Sequence, residues 1–195
     1  MNNSIIQKIT GYLLVISVGF LGLSACQEDE PEIQLAPGEN LTALLAADQD
    51  LSIYTEVLDS LRLRSFLTSP GPFTVLAPNN AAFNDYFRRA LQVNGIKDIT
   101  LPVAGLTTAQ LTTQTQKQLT LRVAITYTFI PKAFTAAEFP TPTALSLTSV
   151  PNKYINTSVQ NGVIRLDNSA TIITADIRGA NGIIHKTDRV LTPRP

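Results

Sequence analysis

The sequence predicts an α+β fold in which a largely antiparallel sheet follows a helical first half. Three observations carry that expectation. Apolar residues recur at helical spacing in several segments before about residue 125. From Ala144 onward the pattern changes to period-two alternation, as in half-buried strands. Turn signals then punctuate this second half at Pro151–Asn152, Asn161–Gly162, Asp167–Asn168 and Asn181–Gly182.

The amino terminus stands outside that fold. One cation, Lys8, precedes an uncharged apolar run, Gly11–Ala25, which is too short for a membrane-spanning helix and has the layout of a secretory signal. The run ends in "LSAC", Leu23–Cys26, which resembles a bacterial lipobox. That resemblance implies removal of residues 1–25 and acylation of Cys26, the chain's one cysteine, with palmitate-type chains. Each buried methylene of such a chain contributes about 0.8 kcal/mol to membrane binding. Residues 26–39 hold five acidic groups and two prolines with little to bury, so they read as a flexible solvated tether. Gln27 stands where an inner-membrane retention signal would have aspartate, and the acidic cluster is similar to the surface-export signals of some lipoproteins. The expected location is the outer membrane of a bacterial envelope, facing the cell surface.

The remaining elements follow in order. Asn40 is an N-cap type residue before the helix formers of "LTALLAA". In "DLSIYTEVLDSLRL", Leu51, Tyr54, Val57, Leu58 and Leu61 share one helical face. "SPGP" breaks the chain before a short buried strand, "FTVLAP". A helix follows, capped by Asn79 or Asn80, with Phe83, Phe87 and Leu91 inward. Thr107–Ile125 reads as a helix that gives way to extended chain before Pro131, and "TAAE" at Thr135–Glu138 has the spacing of a capping box. Five strands complete the domain: "ALSLTSV", "KYINTSV", "GVIRLD", "ATIITADIR" and "GIIHKTDRVL".

Composition narrows the function. Of 195 residues, 44% are hydrophobic and 15% charged, enough apolar material for a real core. The formal net charge is zero, which argues against nucleic acid as a partner. The leader holds one of the fifteen basic residues and the tether five of the fifteen acidic ones, so the domain from Asn40 carries fourteen against ten. A single cysteine and a single histidine exclude an internal disulfide and a Cys/His metal cluster, and no cofactor is expected.

Two segments carry a family resemblance. "FTVLAPNNAAF" (Phe73, Thr74, Pro78, Asn80 and Phe83 among its residues) and "NGIIHKTDRVLTP" (with Asn181, Gly182, His185 and Asp188) resemble the two signature motifs of the fasciclin (FAS1) domain. They stand in the expected order, about a hundred residues apart, within a single domain over residues 40–193. The resemblance implies a wedge of two β-sheets, mostly antiparallel, with helices packed against it. It also implies adhesion between cells or to matrix, with few members acting as enzymes. The family often carries a Tyr-His pair centrally; here Tyr127 stands, with Thr128 at the histidine position. Tyr127 is therefore a candidate contact residue.

His185 is the residue on which catalysis turns. On a strand it shares a face with Ile183 and Thr187, while Ile184 and Lys186 point the other way. A buried imidazole needs a hydrogen-bond partner, most simply a backbone carbonyl. A general base needs a nucleophile and an orienting group; Asp176 and Asp188 are near in sequence, but no nucleophile motif accompanies them. The reading is a non-catalytic module that engages an extracellular protein or glycan. A structural part of an envelope complex and a glycan-modifying hydrolase with paired carboxylates are the alternatives. For contact, "GIKDITLPVAGL", residues 95–106, offers Ile96, Ile99 and Val103, apolar without periodicity. Core cover is their alternative role.

Overall fold

The computed structural model describes residues 38–93, 118–139 and 145–193. They belong to one compact unit, Gln34–Pro195. Cys26, Leu91, Ile96, Ile99, Val103 and most of the Thr/Gln-rich segment lie outside the residues whose side chains are described.

Helix α1 spans Leu41–Ala47 and buries Leu41 and Leu45. Its cap is Asn40, whose Oδ1 accepts from the Ala43 N–H at 3.0 Å. The stretch Asp50–Leu63, one helix in the sequence pattern, is a 3₁₀ turn followed by a shorter helix in the structure. A 3₁₀ turn, Gln49–Leu51, leads into α2, Ser52–Ser60, and a second 3₁₀ turn covers Arg64–Thr68. The break falls at Arg62, which adopts a left-handed φ of 56°. There the Arg122 guanidinium donates to the Leu61 carbonyl at 2.6 Å and satisfies an acceptor that the ended helix leaves open. Leu67, fully buried, then anchors the second turn.

Helix α3, Asn80–Val93, begins directly after strand β1, Phe73–Pro78. Helix α4, Gln118–Tyr127, runs two residues beyond the expected end before β2, Phe129–Ile130. The capping box forms as a 3₁₀ turn at Ala136–Glu138, where the Glu138 carboxylate accepts from the Thr135 N–H and hydroxyl. Strands β3 (Leu145–Thr148), β4 (Tyr154–Gln160), β5 (Val163–Leu166), β6 (Ala170–Gly179) and β7 (Gly182–Thr187) complete the fold.

The strands form one ladder in the order β2-β1-β7-β6-β5-β4-β3. Among the described residues, five of six pairings are antiparallel, and the exception joins the two motif strands. β1 and β7 run parallel in register from Phe73↔Gly182 to Pro78↔Thr187. Segments about a hundred residues apart in sequence are thus hydrogen-bonded neighbours inside the sheet, second and third in its order. Strand β6 is shared between the two halves of the ladder and bends: its register with β7 shifts twice, and Asp176 takes a φ of 60°. A bulge of this kind turns a strand without ending its pairing.

Alternation on β1 and β7 separates two apolar clusters. Phe73, Val75, Ala77 and Ile184 face α1–α3 and join Leu41, Tyr54, Leu58, Phe83 and Phe87. Leu76 faces the other way, into Tyr127, Phe139, Leu147, Ile155, Ile164 and Leu166. Both faces of the motif strands are covered, which is why all six residues of β1 are buried.

The turn chemistry is partly as expected. Asn161–Gly162 and Asp167–Asn168 have positive φ at both positions, as two-residue hairpins favour. Asn181–Gly182 departs from this: the turn residues are Ala180 and Asn181, and Gly182 already belongs to β7. The glycine is required by contact, since a Cβ there would stand 2.3 Å from the Phe73 carbonyl oxygen.

Candidate functional site

The polar groups of the two motifs turn inward and close on the main chain. Asn181 accepts from the Leu41 N–H at 2.9 Å and donates to the carbonyls of Leu67 (2.8 Å) and Ser69 (3.1 Å). It thereby ties α1 and the second 3₁₀ turn to the β6–β7 turn. Asn80 does the same at the other end of β1. Its Oδ1 accepts from the Ile53 N–H at 3.0 Å, and its Nδ2 donates to the Gln49 carbonyl and Ser52 hydroxyl. The cap of α3 itself is Asn79, which accepts from the Ala82 N–H at 2.9 Å. Asn80 therefore caps a neighbouring helix, α2, rather than its own. Thr74, fully buried, donates to the Lys132 carbonyl and accepts from the Phe134 N–H, both at 2.8 Å.

His185 completes the grip on that same loop. Its Nε2 lies 2.8 Å from the Phe134 carbonyl, which can only accept, so Nε2 carries the proton. Its Nδ1 then accepts from the Asp176 N–H at 3.2 Å. The ring is neutral, fully buried, and edge-on to Phe139. Burial pushes its pKa below the ordinary 6.5, against smaller opposing effects of the Phe134 hydrogen bond and the Asp176 charge. Protonation would also set a new N–H against the Asp176 N–H, donor against donor. Asp176 thus meets His185 through its backbone, while its carboxylate accepts from the Ala136 N–H at 2.8 Å. With both ring nitrogens committed to main chain, His185 has no free nitrogen to act as a base.

The other sequence candidates are also placed. Tyr127 lies in the core, 2% exposed, and its hydroxyl is within 2.7 Å of both the Tyr154 carbonyl and the Asp167 carboxylate. An aromatic so enclosed offers a surface partner nothing, so the expected contact role does not fit its position. Thr128 is buried beside it, donating to the Ile125 carbonyl at 2.7 Å. Asp188 accepts from the Thr171 N–H at 2.6 Å, while its own N–H donates to the Thr171 carbonyl. Among the described residues, no cluster of histidine, cysteine and carboxylates could hold a metal.

These clamps position a surface groove that sequence reasoning missed. Ala82, Asp85, Tyr86 and Arg89 form one wall; their spacing places them on one stripe of α3, beside the core stripe of Phe83 and Phe87. Ser169, Arg189, Val190 and Thr192 form the other wall, and the open space between is about 340 Å³. The second wall is held in place by motif groups. Asp188 fixes the β7 exit to β6, the Thr187 hydroxyl donates to the Arg189 carbonyl at 3.0 Å, and the Asn79 N–H donates to the Thr187 carbonyl. Burial raises the Tyr86 phenol above its ordinary pKa. Arg89 pairs with Asp85 one turn away, whereas the Arg189 guanidinium has no hydrogen-bond or ion-pair partner among the described residues.

Helices packed on a mixed sheet, with two parallel motif strands whose polar side chains brace the backbone, define a structural scaffold domain. The Fasciclin domain profile matches residues 49–193, and the chain belongs to that family. Two relatives come from Synechocystis sp. Protein sll1483 is 26% identical over 188 residues, covering 95% of this chain and 92% of its own. Uncharacterized protein sll1735 is 28% identical over 159 residues, covering 78% and 96%. The fold matches the FAS1 domain pair of the insect cell adhesion molecule fasciclin I, with a TM-score of 0.62 at 14% identity. That likeness covers 80% of this chain, which spans about half, 51%, of the insect chain.

Proposed function

We propose that this protein is a non-catalytic adhesion module, held on the outer face of a bacterial envelope by an acylated Cys26 and engaging a protein or glycan outside the cell. The observation that carries the reading is the inward commitment of the motif groups. Asn80, Asn181, Thr74 and His185 are occupied with main chain, so the fasciclin signature serves to build the scaffold, and contact is left to the surface. Membership of a family that includes an insect cell adhesion molecule supports the same class of function. The composition of the acidic segment supports the display: a polar chain of about thirteen residues has a root-mean-square reach of roughly 20 Å, enough to stand clear of lipid headgroups.

The test uses cells that express the full chain. Wild type fractionates with the membrane and promotes cell–cell or cell–matrix attachment. Cys26→Ser releases the protein from the membrane or leaves an uncleaved precursor, and attachment falls with it. An unmodified, uncleaved wild-type N-terminus by intact mass would refute the anchor. Attachment unchanged when the whole protein is deleted would refute the adhesion role.

A further inference from the structure

The groove between α3 and the β7 exit has the chemistry of a ligand site. Its volume, about 340 Å³, lies at the small end of the range for small-molecule sites and suits one or two sugar rings. The lining includes two arginines, Arg89 and Arg189, and one aspartate, Asp85, so the groove carries an excess positive charge. The Asp85 carboxylate binds one edge of Arg89 through Nη2 and holds that side chain in place, leaving further N–H groups of the fork for a ligand. Among the described residues Arg189 is held through its backbone carbonyl, and its exposed guanidinium has no hydrogen-bond or ion-pair partner. A planar guanidinium matches a carboxylate through two parallel hydrogen bonds, which an ammonium does not do.

The walls add a second requirement. Ala82, Val190 and the half-buried ring of Tyr86 are apolar, while Ser169, whose hydroxyl donates to the Leu166 carbonyl at 3.4 Å, and Thr192 bring polar residues to the same lining. A bare inorganic anion has no use for an apolar wall. A sugar ring presents C–H groups to such a wall and hydroxyls to its polar neighbours. We propose that this groove binds the acidic sugar unit of a glycan, a hexuronate, with Arg189 and Arg89 on its carboxylate and Tyr86 against its ring. The proposal deepens the adhesion reading, on which it rests for its biological meaning, by naming the class of partner.

The experiment is calorimetric titration of the detergent-solubilised full chain with digalacturonate, with the neutral disaccharide galabiose, and with sulfate. The expected result is saturable binding of digalacturonate and none of galabiose. Arg189→Gln should weaken that binding by at least about tenfold without shifting the melting temperature, since a hydrogen bond to a charged group is worth an order of magnitude or more. Arg89→Gln should weaken it as well. Equal binding of the neutral sugar, sulfate competing as well as digalacturonate, or an Arg189→Gln variant with unchanged affinity would each overturn the assignment. The two readings fail separately. Attachment without uronate binding sinks the groove and leaves the adhesion role, whereas Arg189-dependent binding without attachment does the reverse.

Discussion

His185 and Arg189 stand four residues apart on one segment and have opposite fates. The imidazole is sealed in the core with both nitrogens on main-chain groups, and the guanidinium lies on a groove wall with no partner among the described residues. The polar groups around them divide in the same way. Asn80, Asn181, Thr74 and Thr187 each bond to backbone of another segment or of their own strand exit. Asp85, Tyr86 and Arg89 instead line an open face. A buried polar side chain without a partner costs free energy, so those inside have had their chemistry consumed by the fold. Only the outer set keeps hydrogen-bonding capacity for something else. The difference warns against reading function from the motif residues themselves.

The sharpest way to break this contrast is Asn181→Ala. It strands the Leu41 N–H and the Leu67 and Ser69 carbonyls at once, on two separate segments, α1 and the second 3₁₀ turn with its C-cap. At roughly 1–3 kcal/mol per stranded group, partly offset by water at the more exposed carbonyl, a loss of about 3 kcal/mol is expected. Urea unfolding of the variant against wild type measures it. A loss below about 1 kcal/mol would mean that solvent replaces the clamp and that Asn181 is no more structural than a surface residue.

What the sequence disclosed, it disclosed through periodicity. The β3–β7 alternation, the apolar stripe of α2 and the capping box at Thr135–Glu138 are local patterns, and each corresponds to an element. Asn161–Gly162 and Asp167–Asn168 are local as well, and both form turns with positive φ. The failures share a tertiary cause. The bulge at Asp176 follows from a bond to His185 and a bond to Ala136, neither visible along "ATIITADIR". Asn80 reads as a cap and is one, but for α2, since a one-dimensional pattern cannot say which helix an asparagine reaches. The parallel β1–β7 pairing was likewise hidden, because no short turn joins the two strands. The groove needed both at once: the stripe of Asp85, Tyr86 and Arg89 on α3 is legible, but Arg189 joins it through the tertiary bonds of Asp188, Thr187 and Asn79.

His185→Ala should cost less than Asn181→Ala, about 1–3 kcal/mol, because it strands only the Phe134 carbonyl and the Asp176 N–H. Its pH dependence sharpens the test. The folded pKa is depressed below the ordinary 6.5, so the unfolded chain takes up the proton first. The contribution is fully present above about pH 6.5 and is lost as pH falls from there through the folded pKa. The chain has one histidine, so no other imidazole titrates in this window. Unfolding free energy of wild type should decline as pH drops from 7.5 to 5.5, and the variant should lack that component. Equal slopes in the two proteins would show that His185 is not held neutral by its partners.

The smallest effect belongs to Arg189. Its side chain forms no hydrogen bond or ion pair among the described residues, and the bond that orders this stretch uses its backbone carbonyl, which any residue supplies. Arg189→Gln should therefore change stability by no more than about 0.5 kcal/mol, the ordinary range for a surface substitution. It should leave the pH profile of unfolding unchanged, because the clamp on His185 lies on the other side of Thr187. The same variant removes one of two guanidinium groups from the groove, so its effect should appear in binding to an acidic sugar and nowhere in folding. A drop in stability comparable to that of His185→Ala would place Arg189 among the structural groups, and the division between a consumed interior and an available face would fail at the residue where it is drawn most sharply.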